Sequence, residues 1–235
     1  MTMPPPFDDC LDANVATCVQ GRVLAQNTVM RFLPVTAVLL MVASSACTSG
    51  PPAPDEGPYV AKITQDRAAA DAFFKSDDGP LPAADRRNFG GLKYFPIDAG
   101  YRVPARLEVK TVDRDTILEV PQFHTTEKRK LRRIGILHFS LPQAGAAELT
   151  LTAFVEVDLP DMTRLFVPFT DMTSNNETYG GGRYMELSRT PTGLYDLDFN
   201  RAYHPYCVFN SSFECPVPPR ENRLMTAIRA GEKLK

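Results

Sequence analysis

The spacing of hydrophobic residues along the chain changes near Tyr101. Between Tyr59 and Leu81, apolar side chains such as Val60, Ile63 and Phe74 recur every three or four residues, until Gly79-Pro80 ends the pattern. This spacing predicts an amphipathic helix of about four turns. Beyond Tyr101 apolar and polar residues alternate, which is typical of half-buried strands. The alternating segments are residues 106–113, 116–123, 133–141, 148–158 and 164–169, with shorter ones at 183–189, 193–199 and 223–230.

One leading helix followed by these strands predicts an α+β fold. We expect it to be mainly an antiparallel β-sheet, curled into a barrel or packed as a sandwich. The chain has 235 residues, 43% of them hydrophobic, which suits a single folded core. Its 21 prolines argue against a helical bundle. We assign residues 59–235 to one β-rich domain.

The region before this domain has the features of an export signal. Residues 32–43 form an apolar run that follows Arg31 and is too short to cross a bilayer as a helix. Small residues then lead to Cys47, an arrangement that resembles a bacterial lipobox, although Ser44 stands where leucine is usual. The alternative interpretation is an internal hydrophobic helix.

The export signal defines the organisation of the N-terminal part of the chain. Met30 lies where a leader would begin, so we predict a lipoprotein signal peptide at residues 30–46 and an over-extended, disordered start at residues 1–29. Residues 47–58 are rich in proline and glycine and are expected to form a tether. Lipidation of Cys47 would then anchor the exported domain to a membrane, facing the periplasm or the outer side.

The net charge and the absence of common catalytic motifs argue against several classes of protein. The formal net charge of −2 gives no reason to expect a nucleic-acid partner. The chain contains no G-x-S-x-G, H-E-x-x-H or G-x-x-x-x-G-K motif, so easily recognised hydrolases and nucleotide enzymes are excluded and we expect no cofactor. Other enzymes stay possible, because catalytic groups can come from distant parts of a chain.

Residues 127–133 place five basic side chains between two predicted strands. Such a run is typical of a solvent-exposed hairpin. The alternative is attraction to anionic lipid headgroups, where each charge contributes about 1 kcal/mol near the surface.

Residues 166–187 contain a candidate anion site. Asp171 and Thr173 precede a turn of three glycines, Gly180–Gly182, and Arg183 follows it. Glycine permits positive φ and exposes successive backbone N–H groups, and a neighbouring guanidinium can clamp a carboxylate or phosphate. The alternative is a structural turn in which Asp171 bonds its own backbone and pairs with Arg183.

Five segments in order carry a resemblance that runs from about Tyr59 to Lys233. They are GLKYFPIDAGYRV, FVPFTDMTSNNETYGGGRYMEL, LDFNRAYHPYC, CPVPPRENRL and IRAGEK. They resemble the bacterial and archaeal family known as domain of unknown function 1684. The positions that fit its pattern are Asp171, Thr173, Thr178, Tyr179, Gly182, Arg183, Asp198, Asn200, Tyr203, Cys207, Cys215, Glu221 and Asn222. Asn175 and His204 depart from it, standing in place of glycine and asparagine. The resemblance implies a shared polar cluster and names no reaction.

His204, Cys207 and Cys215 lie close together in the sequence, and a metal site there would need a fourth ligand such as Glu221. Their spacing matches no zinc motif, so we predict no metal site. In an oxidising compartment Cys207 and Cys215 are expected to form a disulfide, which would stiffen the proline-rich segment that follows. Two separately buried thiols are the alternative.

The leading hypothesis is a non-catalytic, lipid-anchored envelope domain whose polar cluster orders its loops or binds a small polar molecule such as an anion. The ligand-binding candidates are Asp171, Thr173, Tyr179, Arg183, Asn200, Tyr203, His204 and Asn222. The alternative is an envelope enzyme in which Asp198 or Glu221 is the general base and Arg183 stabilises an anion. A third, purely structural class would show a buried and fully paired cluster, whereas a cleft with a carboxylate of raised pKa would favour catalysis.

Overall fold

The computed structural model describes residues 56–109, 117–145, 147–157 and 163–234. The predicted start, the signal peptide, Cys47 and most of the tether therefore lie outside the described residues. Within the described ranges, no helix combines the length and the apolar character needed to span a bilayer.

The helices and strands of the described residues have the following bounds. The helices are α1 (Gly57–Lys75) and α2 (Ala83–Arg86). The strands are β1 (Lys93–Tyr94), β2 (Arg102–Glu108), β3 (Ile117–Pro121), β4 (Lys128–Ser140), β5 (Glu148–Glu156), β6 (Arg164–Phe169), β7 (Arg183–Ser188), β8 (Leu194–Asp198) and β9 (Glu232–Lys233). Helix α1 begins next to Pro58, which suits a first helical turn, and buries Ile63 and Phe74. The predicted leading helix is confirmed.

Strands β2 to β8 form one seven-stranded antiparallel sheet. Its order is β7-β6-β5-β4-β2-β8, and β3 pairs with the first half of β4. The chain after β8 returns to β7, where Tyr184 and Tyr203 exchange two backbone hydrogen bonds of 2.9 and 3.0 Å. This contact links the two ends of the strand order, so the sheet is nearly closed and barrel-like. The predicted α+β class with a curled antiparallel sheet is confirmed.

Both faces of the sheet bury apolar side chains. Leu137, Leu151 and Leu165 have no exposed surface and belong to the main core on the inner face. Phe154 and Phe166 belong to a second cluster on the outer face. Because successive side chains of a strand point to opposite faces, the charged residues next to this second cluster also face outward.

A bulge in β4 explains why one strand serves both clusters. The register with β5 shifts between Arg133 and Gly135. An extra residue reverses the inward and outward positions beyond it. Leu131, before the bulge, therefore packs in the outer cluster, whereas Leu137 packs in the main core.

The basic run of residues 127–133 belongs to a hairpin, as predicted, but it forms strand instead of the connection. From Lys128 onward its residues lie in β4, which pairs with β3 on one side and β5 on the other, and Lys128 and Lys130 are exposed. One local prediction is wrong. Residues 223–230 do not form a strand, because the carbonyl oxygens of Ile228 and Ala230 accept hydrogen bonds from the Arg183 side chain instead of a neighbouring strand.

Candidate functional site

Arg183, the first residue of β7, is the centre of a buried ion pair. Its Nη2 lies 2.8 Å from Asp171 Oδ2, and each side chain is 1% exposed. The same guanidinium donates to three carbonyl oxygens, those of Ile228 (2.7 Å), Ala230 and Glu232 (3.1 Å). Burial lowers the pKa of Arg183, and the Asp171 carboxylate opposes this effect. The pair therefore fastens the C-terminal segment to the sheet and does not present its charge to solvent.

The turn after β6 is built around the other Asp171 oxygen. Oδ1 accepts from the Thr173 N–H at 2.6 Å and from its hydroxyl at 2.5 Å, and the Thr173 and Thr178 hydroxyls lie 2.9 Å apart. Asn175 has φ +69° at a position where the resembled family has glycine. Asparagine tolerates this left-handed conformation better than most residues, so the departure from the pattern fits the same turn.

His204 and Glu232 form a second buried pair beside Arg183. The His204 N–H donates to Glu232 Oε2 at 2.8 Å, and His204 Nε2 accepts from the Tyr179 N–H at 3.2 Å. Burial, with a smaller effect of Arg183, lowers the pKa of His204 to about 3. Burial also raises the pKa of Glu232 to about 8. An accepting Nε2 leaves the proton on Nδ1, which lies 3.4 Å from Glu232 Oε2. Burial therefore favours the neutral form of both side chains.

Asp198 and Asn200 form a separate network that docks α1 onto β8. The Tyr59 hydroxyl donates to the Asp198 carboxylate at 3.0 and 3.1 Å and accepts from Asn200 Nδ2 at 2.9 Å. The Asn200 amide also bonds the backbone N–H and C=O of Asp98. Burial, followed by the negative charge of Asp198, raises the pKa of Tyr59, so its hydroxyl keeps its proton.

Asn222 fills a gap between β5 and β6, which are paired at Phe154 and Phe166. Its Oδ1 accepts from the Thr152 N–H at 2.7 Å, and its Nδ2 donates to the carbonyls of Thr152 (2.8 Å) and Pro168 (2.7 Å). The fully buried amide thus replaces backbone pairing across this gap. Glu221, the preceding residue, is instead exposed and bonds Arg133.

From the sequence we predicted that these polar residues form one cluster. In the structure they belong to several separate networks. Asp198, Glu221 and Arg183 each bond a different set of partners, so the candidate bases and the candidate anion stabiliser do not converge on one reacting atom. The amide of Gly182 donates to the Tyr179 carbonyl at 2.9 Å and is therefore already engaged. Glu232 belongs to the central network, and sequence reasoning missed it because no motif surrounds it.

Cys207 and Cys215 are neighbours in the outer apolar cluster, and their sulfurs are not bonded to each other. The Cys207 N–H donates to Cys215 Sγ at 3.3 Å. A hydrogen bond from the Cys207 thiol lowers the pKa of Cys215. The disulfide stays a prediction. Across the described part of the chain, no group of three His, Cys, Asp or Glu side chains could hold a metal ion.

A cleft of about 850 Å³ crosses the outer face of the sheet. Its floor carries charged residues of alternating sign from four neighbouring strands: Arg129 of β4, Glu156 of β5, Arg164 of β6 and Glu186 of β7. Arg129 Nη1 lies 3.6 Å from Glu156, and Arg164 Nη1 lies 3.2 Å from Glu186. The Tyr203 hydroxyl also donates to Glu186 at 2.9 Å. Of the predicted site residues, Cys215 lies in the lining, and Tyr203 bonds the floor residue Glu186.

Aromatic rings form a wall of this cleft. The Tyr206 ring centroid lies 5.4 Å from that of Phe213 and 6.4 Å from that of Phe73 at the end of α1. Phe166 and Tyr184 pack edge to face on the floor, 4.9 Å apart. Burial, with a smaller effect of Glu186, raises the pKa of Tyr206 to about 12. Sequence reasoning missed most of the cleft because its residues come from the end of α1, the segment after it, four strands and the segment 206–216, and share no motif.

A family model described as "Protein of unknown function (DUF1684)" matches residues 87–233. The chain belongs to this family. The DUF1684 chain is also similar to the uncharacterized protein from gene locus rrnAC0354 of Haloarcula marismortui, known from a solution NMR structure. The two sequences are 34% identical, the match covers 77% of this chain and 96% of that one, and the TM-score is 0.57. No curated protein matches the chain.

The DUF1684 motif segments mainly supply the buried networks. Asp171, Thr173, Arg183 and Asn222 of those segments are all buried and bonded to neighbouring backbone or side chains. The motif residues that this chain shares with the family therefore hold the loops of the domain in place. The charged floor of the cleft comes partly from strands β4 and β5, which those segments do not include.

Proposed function

We propose that this DUF1684 protein is a non-catalytic, lipid-anchored domain of the cell envelope that binds a small organic molecule in the cleft across β4–β7. The observation that carries the proposal is the cleft itself, whose volume of about 850 Å³ lies in the range of small-molecule sites. It combines an apolar wall with a few fixed polar groups, as such sites do.

The state of the charged groups favours binding over catalysis. The floor residues Glu156 and Glu186 are paired with arginines, and their side chains are mostly buried. The carboxylate with a raised pKa, Glu232, bonds His204 away from the cleft lining. Paired groups of this kind can orient a ligand without exchanging protons with it.

The buried networks serve the cleft by fixing its walls. The segment carrying Tyr206 and Cys215 follows directly after His204, which is held by Glu232. Asn210 of the same segment donates to the Pro80 carbonyl at 2.9 Å and so joins two sides of the cleft. A preformed wall reduces the entropy lost when a ligand binds.

A blocked cleft tests the binding proposal. Ser212 is an exposed residue of the lining, so Ser212→Trp would fill the cleft, and Ser140→Trp, at the far end of β4, is the matched control. We expect envelope metabolites from a small-molecule panel to raise the melting temperature of the full chain and of the control, and to leave the blocked variant unchanged. Equal shifts in all three proteins would overturn the proposal.

The anchor is proposed from the sequence. Residues 30–46 would be removed, and Cys47 would carry the lipid beyond a tether that leads into α1 at Gly57. The domain would then face the periplasm or the outer side of the membrane. Mass spectrometry of the native protein tests this directly: a lipidated N-terminal Cys47 is expected, and an unmodified peptide spanning Ala46 to Thr48 would contradict the anchor.

A further inference from the structure

We infer that the cleft selects a small organic cation with an apolar body, such as a substituted ammonium. This inference rests on the proposed function, because it names the ligand class of the same cleft. Three features of the lining carry it: the excess of carboxylates, the pairing of the arginines, and the aromatic wall.

The lining has an excess of negative charge. Three arginines and five carboxylates contribute to it, giving a formal net charge of −2. The third arginine, Arg86, donates to the Asp77 carboxylate at 2.5 Å. Since the floor arginines pair with Glu156 and Glu186, the excess is carried by Asp78 and Glu214, both exposed. A cleft of one sign attracts ligands of the opposite sign.

The arginines of the lining are engaged with protein groups. Arg129 also donates to the Gln122 side chain at 3.0 Å and to the Glu214 carbonyl at 3.3 Å. An anionic ligand would have to compete with these bonds and would meet the excess negative charge as well. The anion first suggested by the glycine turn near Arg183 is therefore disfavoured in this cleft.

The aromatic wall supplies the second attraction for a cation. Phe73, Tyr206 and Phe213 form a continuous group of rings that shares the lining with Asp78 and Glu214. Aromatic faces attract ammonium groups, most strongly when the ammonium is partly removed from water. The same rings bury the apolar substituents of the ligand, so charge and apolar surface are recognised together.

A pair of probes that differ in charge alone tests this inference. Choline carries a quaternary nitrogen, and its uncharged isostere carries carbon in the same place. Calorimetric titration of the full chain should show choline binding about threefold to thirtyfold more tightly than the isostere, the range expected for a cation over aromatic rings.

Variants of the exposed carboxylates separate the effect of charge from that of folding. Asp78→Asn with Glu214→Gln should weaken choline binding about twofold to fivefold and leave isostere binding unchanged. Glu127→Gln, an exposed carboxylate outside the lining, should change neither. Tyr206→Leu should weaken choline more than the isostere, with the melting temperature showing whether the variant folds.

Equal affinity for the two probes, or no binding of choline, would overturn the inference. A neutral or anionic panel compound that stabilises the full chain but not Ser212→Trp would overturn the cation class while leaving the proposed function standing. Binding of every compound in spite of Ser212→Trp would remove the proposed function itself.

Discussion

At the scale of single residues, Arg183 and Asp171 hold opposite charges against each other where water does not reach. Removing one partner of such a pair leaves an uncompensated buried charge, which costs far more than an exposed ion pair contributes. Burial favours the neutral forms of His204 and Glu232, which reduces this cost for the second pair. The two pairs together fix the C-terminal segment and the turn after β6.

Loss of the buried carboxylate should strongly destabilise the fold. Asp171→Ala is expected to lower the free energy of unfolding by about 3–5 kcal/mol, because Arg183 stays buried and charged. Asp196→Ala, which breaks the exposed pair with Arg102, should lower it by about 1 kcal/mol or less. Urea denaturation measures both values, and equal losses would contradict the structural role of the buried pair.

Protonation of His204 should lower the stability of the protein in acid. Its pKa is lowered from 6.5 to about 3, so the stability associated with its neutral form is present above pH 6.5 and lost as the pH falls toward 3. His204→Asn introduces the residue of the resembled family and should flatten this acid loss. Unfolding measured from pH 7 to pH 3 tests it; an unchanged slope would contradict the burial of a neutral imidazole.

Ionisation of Glu232 should lower the stability of the protein as the pH rises. Its pKa is raised from 4.5 to about 8, so its contribution is present below pH 4.5 and lost as the pH rises through 8. Glu232→Gln should therefore reduce the decline in stability between pH 5 and pH 9. If stability declined equally in the variant and the parent protein, groups other than Glu232 would cause the decline, and the prediction would be wrong.

At the scale of helices and strands, alternation in the sequence predicts most of the sheet, because an inward apolar and outward polar pattern requires only local residues. The bulge between Arg133 and Gly135 could not be predicted, since it depends on the register with β5. The segment 223–230 has a strand pattern, but its Ile228 and Ala230 carbonyls accept hydrogen bonds from Arg183, which lies 45 and 47 positions away in the sequence.

Part of the link between β5 and β6 is made by the Asn222 side chain. Asn222→Ala should lower the free energy of unfolding by roughly 2–4 kcal/mol, because three buried backbone groups of Thr152 and Pro168 lose their partner. Asn176→Ala, on an exposed turn, should stay within about 0.5 kcal/mol of the parent protein. Thermal and urea unfolding would contradict the bridging role if the two variants behaved alike.

The loop between Cys207 and Cys215 provides a test of the redox environment. We expect a disulfide in the native protein, which would contribute roughly 2–3 kcal/mol by restricting the unfolded chain. The adjacent thiols, buried in one apolar cluster, support this expectation. Thiol titration should find two more free thiols after reduction of the denatured protein; equal numbers before and after would contradict the disulfide.

At the scale of the whole molecule, the domain combines a nearly closed sheet with a cleft on the outer face of that sheet. The motifs of the sequence identify the polar residues that matter, and from them we predicted a binding cluster. In the structure most of these residues are buried and hold neighbouring segments in place. The cleft was missed because Arg129, Glu156 and Arg164 come from separate strands and meet only through the sheet register. Local patterns describe single strands well and describe surfaces shared by several strands poorly.

The position of a bound small molecule tests the central claim most directly. Amide chemical shifts of the full chain, recorded while titrating the panel compound that most raises the melting temperature, should move at Glu156, Glu186 and Tyr206. The amides of the turn around Asp171 and Thr173 should stay unchanged. Shifts confined to that turn, with the cleft amides unmoved, would contradict the assignment of the cleft as the binding site.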